Sequence, residues 1–231
     1  MVPEEAGVAF TARNGGFSEG PYRGLNLSYS TGDDPEDVSA NRLAVSRALG
    51  ISAEWACAHQ VHGSRAVRAN AGTASSLTRH DADAIVTSDS SLPLAVLVAD
   101  CLPIALVGQD SSSVVHAGWR GLCSGVIESA LAAVGEAAPR AWIGPSVGPC
   151  HYQVGREVID RFRAAYPESP KFWKTTDDGN FFDLPAAGRW VLRTAGAVVE
   201  DHQPVCTVCD ERFFSYRRDG TTGRQAVLVW R

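Results

Sequence analysis

Three side chains suited to metal binding or nucleophilic chemistry sit where short apolar runs end. His62 lies in HQVHG (residues 59–63), Cys101 in ADCLP (99–103) and His116 in VVHAGWRG (114–121). A residue at the end of a buried strand has a rigid backbone behind it and a cleft in front. Two imidazoles and a thiolate are a good zinc donor set, and three protein ligands leave the fourth tetrahedral position open to water or substrate. The competing reading is structural, since cysteine is among the most often buried residues and a strand-end histidine can be a hydrogen-bonded core residue. The separations match no short zinc-finger spacing, so these residues alone leave both readings open.

The elements that must position them can be read from pattern. Runs at residues 84–87, 94–99, 104–107, 114–116, 141–143 and 226–230 are strand-like. Several lack polar alternation, as in Leu94-Ala95-Val96-Leu97-Val98, which suits strands buried on both faces. A helix is expected to start at Asp33-Asp34-Pro35-Glu36, with an Asp cap, an early Pro and acidic residues at its positive end, and to stop at Gly50. Further helices are expected over residues 125–134, 156–166 and from Asp183 to about Val199. Residues 70–79 and 167–180 read as surface loops, the second ending in the turn signal Asp177-Asp178-Gly179-Asn180. Strands mixed with helices in this way predict an α/β or α+β layered sandwich, a mixed sheet with flanking helices. The sequence shows no internal repeat or linker, and residues 1–231 read as one domain.

Composition excludes some classes of function. The formal net charge is -5 and no Lys/Arg-rich stretch offers a footprint for phosphate backbones, so a nucleic-acid partner is not expected. No run approaches the roughly 18 to 20 apolar residues of a membrane span. The stretch Met1 to Gly7 is acidic and leads into no apolar region, which argues against a secretory signal and for a cytoplasmic protein. The six cysteines are then thiols or metal ligands rather than disulfides.

Seven blocks, in order over nearly the whole chain, resemble the YfiH family, also called laccase-domain or polyphenol oxidase proteins. They are residues 11–42, HQVHG, DADAIVT (81–87), ADCLPIAL (99–106), VVHAGWRGL (114–122), IGPSVGPCHYQVG (143–155) and FFSYRRDGTTGRQA (213–226). The resemblance implies that family's α/β sandwich, shared in outline with cysteine-hydrolase-like proteins. It implies zinc on His62, Cys101 and His116, these three also being the catalytic residues. The implied activity is phosphorolysis of adenosine, inosine, guanosine and methylthioadenosine, with adenosine deamination; purine nucleosides and phosphate are then the partners. Copper and a polyphenol oxidase activity rank below zinc, because one two-His, one-Cys set cannot build a multicopper cluster. A different class of enzyme uses the same residues: an amide hydrolase acting on cell-wall precursors, with Cys101 as nucleophile and His116 or His62 as base.

Beyond the three ligands, Arg120 is expected at the substrate. Gly118-Trp119-Arg120-Gly121 reads as a turn into the helix at 125–134, and a guanidinium there suits an anion. Asn26 and Arg42, polar residues of the N-terminal block, are further expected substrate contacts. Asp100 could accept from a ligand histidine, though strand alternation aims it away from Cys101. Cys206-Thr207-Val208-Cys209 is a lone C-x-x-C without a second pair, too little for a structural zinc site, and Cys150-His151 falls in a Pro/Gly loop. Cys57 and Cys123 read as packing residues. Oligomeric state has no sequence signature.

Overall fold

The structure, a computed structural model, describes residues 6–200 and 205–231. Most of the acidic N-terminal stretch (residues 1–5) lies outside the described residues.

The chain opens with strand β1 (Gly7–Phe10) and, after a long irregular segment, helix α1 (Pro35–Leu49). The start is as expected: the Asp34 side chain accepts from the Glu36 N–H at 2.8 Å, and Pro35 occupies the first turn. Strands β2 (Ala66–Ala69), β3 (Ala84–Thr87), β4 (Leu94–Val98), β5 (Leu102–Val107) and β6 (Ser112–Ala117) follow. Next come α2 (Trp119–Cys123), α3 (Val126–Val134), β7 (Arg140–Ile143), the two-residue β8 (Gln153–Val154) and α4 (Arg156–Ala165). The hairpin of β9 (Trp173–Thr176) and β10 (Gly179–Phe182), then α5 (Leu184–Thr194), β11 (Val198–Val199), α6 (Tyr216–Asp219) and β12 (Gln225–Trp230), complete it.

These elements stack in four layers. A six-stranded sheet, ordered β11-β7-β5-β6-β3-β2, is mixed: β7–β11 and β2–β3 are parallel and its other pairs antiparallel. A three-stranded antiparallel sheet, ordered β1-β12-β4, covers one of its faces. Alternation along the strands assigns the side chains. Leu102, Ile104 and Leu106 of β5 face α3 and α5, packing on Ile127, Ala130 and Leu192. Ala105 and Val107 face the other way, toward Leu94, Val96, Val227 and Val229 of the smaller sheet. The outer face of that sheet, through Ala95, Ala226 and Leu228, receives Val45 of α1 and Trp55. The central strands are buried on both faces, which is why they read as unbroken apolar runs. The layered α/β sandwich with a mixed sheet is the expected class.

Four local expectations are corrected, the first at 70–79, where a surface loop was expected and Ala74–Arg79 forms a 3-10 helix that buries Ala74 and Leu77 in the core. The last long helix stops at Thr194 instead of near Val199, because Gly196 takes a left-handed backbone (φ +92°) and Val198 and Val199 pair in parallel with β7. The segment 167–180 holds β9 and the start of its hairpin with β10, joined at the Asp177-Asp178 turn, where a plain loop was expected. The Gly118–Gly121 stretch does not lead straight into the helix at 126; it forms the separate short helix α2.

Candidate metal centre

His116 is the next-to-last residue of β6, and Cys101 immediately precedes β5, the strand beside it. Register places Pro103 opposite His116 and Leu102 opposite Ala117, so the two strand ends carry sulfur and imidazole to one edge of the sheet. His62 arrives from a loop, with a left-handed backbone (φ 60°) unusual for a residue that has a Cβ. Asp83 holds that conformation. Its carboxylate accepts the backbone N–H groups of His62 at 2.9 Å, Gly63 at 2.6 Å and Val61 at 3.3 Å. The same carboxylate accepts from His116 Nδ1 at 2.8 Å. Nε2 of His116 is thereby left as its free ligand atom, and the tautomer is set by the partner of the other nitrogen.

The three ligand atoms lie within 4.8 Å of one another. Cys101 Sγ is 3.8 Å from His62 Nε2, and the two imidazoles meet edge to face with centroids 4.7 Å apart. Burial grades from His116, almost fully enclosed, through half-buried Cys101 to exposed His62, so the set opens outward on the His62 side. Gly118 closes the other side: a Cβ there would stand 2.9 Å from His62 Cδ2 and 3.2 Å from Cys101 Sγ. Burial pushes the Cys101 thiol up, but the His116 and His62 imidazoles outweigh it and bring it down to about 6. Burial likewise pushes His116 down, while the Cys101 sulfur and Asp83 carboxylate outweigh it and raise the imidazole to about 9. Asp83 itself is pushed up by burial and held below the usual carboxylate range by His116 and the loop amides. Two nitrogens and a readily ionised sulfur, oriented by a carboxylate behind one imidazole, fit a zinc ion.

Cations and a phenol are coupled electrostatically to this set or to one another. Arg120 is exposed, with its guanidinium 4.5 Å from the Trp119 ring centroid. Arg217 lies 5.4 Å from the ring of buried Tyr152. Burial raises the Tyr152 phenol, and the Cys101 sulfur adds to it while Arg217 and Arg120 oppose. Burial lowers half-buried Arg224, with Cys101 and Asp100 opposing. Tyr152, Arg217 and Arg224 therefore share the electrostatic neighbourhood of Cys101. The sequence reading missed these three although two of the quoted blocks contain them.

The other expected contacts are engaged in the scaffold. Asn26 is fully buried; its amide donates to Asp33 and Thr31 and its carbonyl accepts from the Ser28 and Arg224 N–H groups, so it stands behind Arg224. Arg42 donates to the Leu27 carbonyl and lies over the Tyr29 and Trp55 rings. Asp100 does not back a ligand histidine: it accepts from Thr207 Oγ1 and the Arg217 N–H, both at 2.6 Å. The carboxylate that does so is Asp83, which the sequence reading did not single out. An open groove of about 1120 Å³ along Arg13, Phe17, Glu19 and Asp219 contains none of the three ligands. A second cluster of metal-ligating atoms, Cys150, His151, Cys206 and Cys209, shares no residue with the first.

Fold and site together define a layered α/β protein with a two-His, one-Cys candidate metal centre. The family model described as "Multi-copper polyphenol oxidoreductase laccase" matches residues 7–231, and the chain belongs to that family. It is 33% identical to the purine nucleoside phosphorylase YfiH of Shigella flexneri, covering 99% of this chain and 95% of that protein. It is 36% identical to the purine nucleoside phosphorylase YlmD of Geobacillus stearothermophilus, covering 100% and 92%. Among solved structures, NMB0706 of Neisseria meningitidis superposes with a TM-score of 0.88 at 36% identity, over 99% of this chain and 95% of that one. YlmD superposes at 0.90 with 32% identity, over 99% and 92%. Among the described residues no helix is long and apolar enough to cross a membrane.

Proposed function

We propose that the chain is a zinc-dependent, cytoplasmic purine nucleoside phosphorylase acting on adenosine, inosine, guanosine and methylthioadenosine, with adenosine deaminase activity at the same site. The observation that carries this reading is the Asp83-anchored set of His62, Cys101 and His116, to which Arg224 is electrostatically coupled. Relatives named as purine nucleoside phosphorylases match it over nearly its whole length. His62, Cys101 and His116 would hold the zinc ion, which would supply Lewis acidity there.

In phosphorolysis a phosphate oxygen bonds to the ribose C1′ while the bond to the purine nitrogen breaks, and the base leaves with that electron pair and takes up a proton. Arg120, Arg217 and Arg224 supply the positive charge that binds the attacking dianion. Tyr152, kept protonated by burial and by the Cys101 sulfur, is the hydroxyl donor proposed for this chemistry. Asp83 holds His116 in one tautomer and the His62 loop in one conformation, so the set is organised before substrate arrives. Asn26 acts one layer back, by fixing the backbone that carries Arg224.

The experiment is an assay of zinc-loaded protein with adenosine over a range of phosphate concentrations. Adenine release that saturates with phosphate, and separate inosine formation without it, are expected. Neither product in zinc-loaded, folded protein would sink the reading.

A second reading has its own observation. The lowered Cys101 thiol, the raised His116 and Asp83 behind it form a thiolate–imidazolium pair backed by a carboxylate, the arrangement a cysteine amide hydrolase needs. The two readings separate on stripping the metal. Phosphorolysis should vanish and return with zinc, whereas a hydrolase should survive and leave a trapped acyl adduct on Cys101.

A further inference from the structure

A second cluster, sharing no residue with the site described above, lies on the turns that follow the C-terminal end of β7. Cys150 and His151 lie in the turn between β7 and β8, while Cys206 and Cys209 belong to the turn after residue 205. A parallel bridge between Ser146 and Cys206, supported by Ser146 N–H to Val205 O and Thr207 N–H to Ser146 O, draws the two turns together. Four ligand atoms then converge within 4.8 Å: three sulfurs and His151 Nδ1.

We infer that Cys150, His151, Cys206 and Cys209 form a second zinc site, one with a structural role. Count and chemistry come first. Three thiolates and one imidazole make a closed tetrahedral set, the composition of structural zinc, whereas the three-ligand set leaves a position open. Distances agree. With Zn–S bonds of about 2.3 Å and Zn–N bonds of about 2.0 Å, tetrahedral edges are about 3.8 Å between sulfurs and about 3.5 Å between sulfur and nitrogen. Here Cys150 Sγ and Cys209 Sγ are 3.5 Å apart. His151 Nδ1 is 3.3 Å from Cys150 Sγ, 3.3 Å from Cys209 Sγ and 4.0 Å from Cys206 Sγ.

The backbone around the cluster is arranged for a thiolate. The Gly148 N–H points at Cys206 Sγ from 3.2 Å, and the N–H groups of Val208 and Cys209 approach the same sulfur. Such donors stabilise a ligating sulfur and fix its orientation. Position 148 packs closely on the cluster: a Cβ there would lie 3.1 Å from Cys206 Cβ and 3.5 Å from the sulfurs of Cys150 and Cys206. Binding exchanges the three thiol protons, released to solvent, for three metal–sulfur bonds, with no change of oxidation state.

The site would act as a clip. Thr207, inside it, donates to Asp100, the neighbour of Cys101, and Tyr152 directly follows His151. Both links run from the clip to the edge of the catalytic set. Zinc there would hold two segments that are joined in the described structure mainly by a single β-bridge.

The test uses the full chain with Cys101→Ala, which removes a ligand of the first set only. This variant, purified with zinc, should still carry about one zinc ion per chain and show Cys150, Cys206 and Cys209 protected from alkylation. Chelation should expose those three thiols together and lower the melting temperature. Adding Cys209→Ser should abolish the retained zinc, and His62→Ala in place of it should not. A zinc-free Cys101→Ala protein that is folded by circular dichroism overturns the inference. So does a Cys150–Cys209 disulfide in the peptide map of freshly purified protein, or unprotected thiols in zinc-loaded protein.

Discussion

Asp83 Oδ1 sits 2.8 Å from Nδ1 of His116 and 2.9 Å from the backbone nitrogen of His62, so one carboxylate oxygen serves two candidate ligands on different elements. One of these ligands is held through its ring and the other through its main chain. The relationship explains how an exposed histidine in a left-handed loop conformation can keep a fixed position relative to a buried one.

Replacing Asp83 tests that arrangement. Asp83→Ala leaves a buried imidazole and three amides without their acceptor, and should destabilise the fold by about 3 kcal/mol or more. Asp83→Asn keeps the shape but not the charge, and should weaken zinc binding at the first set by about 10- to 100-fold. Urea denaturation and chelator competition measure the two effects. Zinc affinity unchanged in Asp83→Asn would show that the carboxylate serves only the loop.

The thiol of Cys101 provides a pH signature. Its lowered value of about 6 means that, in metal-free protein, it is protonated and inert below that pH and a reactive thiolate above it. Alkylation of Cys101 should therefore rise through a midpoint about 6 and be complete by neutrality, well below the ordinary cysteine value of about 8.5. Because the imidazoles cause the shift, His116→Gln should move the midpoint upward. An unshifted midpoint in that variant would assign the effect elsewhere.

Gly118→Ala is a steric test of the same site. The new methyl would press on His62 and Cys101 at the distances of 2.9 and 3.2 Å given above. Overpacking of this kind should cost about 1 to 3 kcal/mol of stability and displace a ligand. Reduced zinc content alongside a lower melting temperature is expected, whereas full zinc retention would mean that the α2 backbone simply moves aside.

Arg120→Ala separates the two activities proposed. Phosphorolysis needs a bound dianion, whereas deamination needs only water and the base. Losing a charge-assisted contact should lower phosphorolytic efficiency by about 10- to 150-fold and leave inosine formation much less affected. Adenine and inosine are measured side by side across phosphate concentrations. A parallel fall in both, with unchanged phosphate dependence, would make Arg120 structural.

What the sequence made legible follows from how local each signal is. The cap and stop of α1 and the apolar runs of β3 to β7 are written within a few residues, and these elements appear where expected. The β9–β10 hairpin was missed because Trp173-Lys174-Thr175-Thr176 is short, polar and only partly buried. The last helix was overextended because Val198 and Val199 continue an apolar run whose pairing with β7 is a tertiary fact. At the site, residue types and block resemblance singled out the three candidate ligands, but Asp83 acquires its role only through pairing of β3 with β6 and folding back of the His62 loop. The Cys206–Cys209 pair and Cys150-His151 each carried a local signal too weak to stand alone, because their convergence, with Cys150 and Cys209 59 residues apart, is a tertiary fact.

The order β1-β12-β4 has a consequence for biosynthesis. The central strand of the smaller sheet is the last of its three to leave the ribosome, so neither β1 nor β4 has a sheet partner until residues 225–230 emerge. The six-stranded sheet needs nothing beyond Val199, and can assemble while the face that β12 and β4 later cover is still open. During that interval the nascent chain presents Leu94 and Val96 on a strand with one edge bridged by Ala56 and the other unpaired, a surface prone to pairing with other chains. A frameshift or protease cut just before β12 would therefore remove the middle of a sheet rather than fray its edge, and chaperone dependence should be greatest for chains arrested in that window.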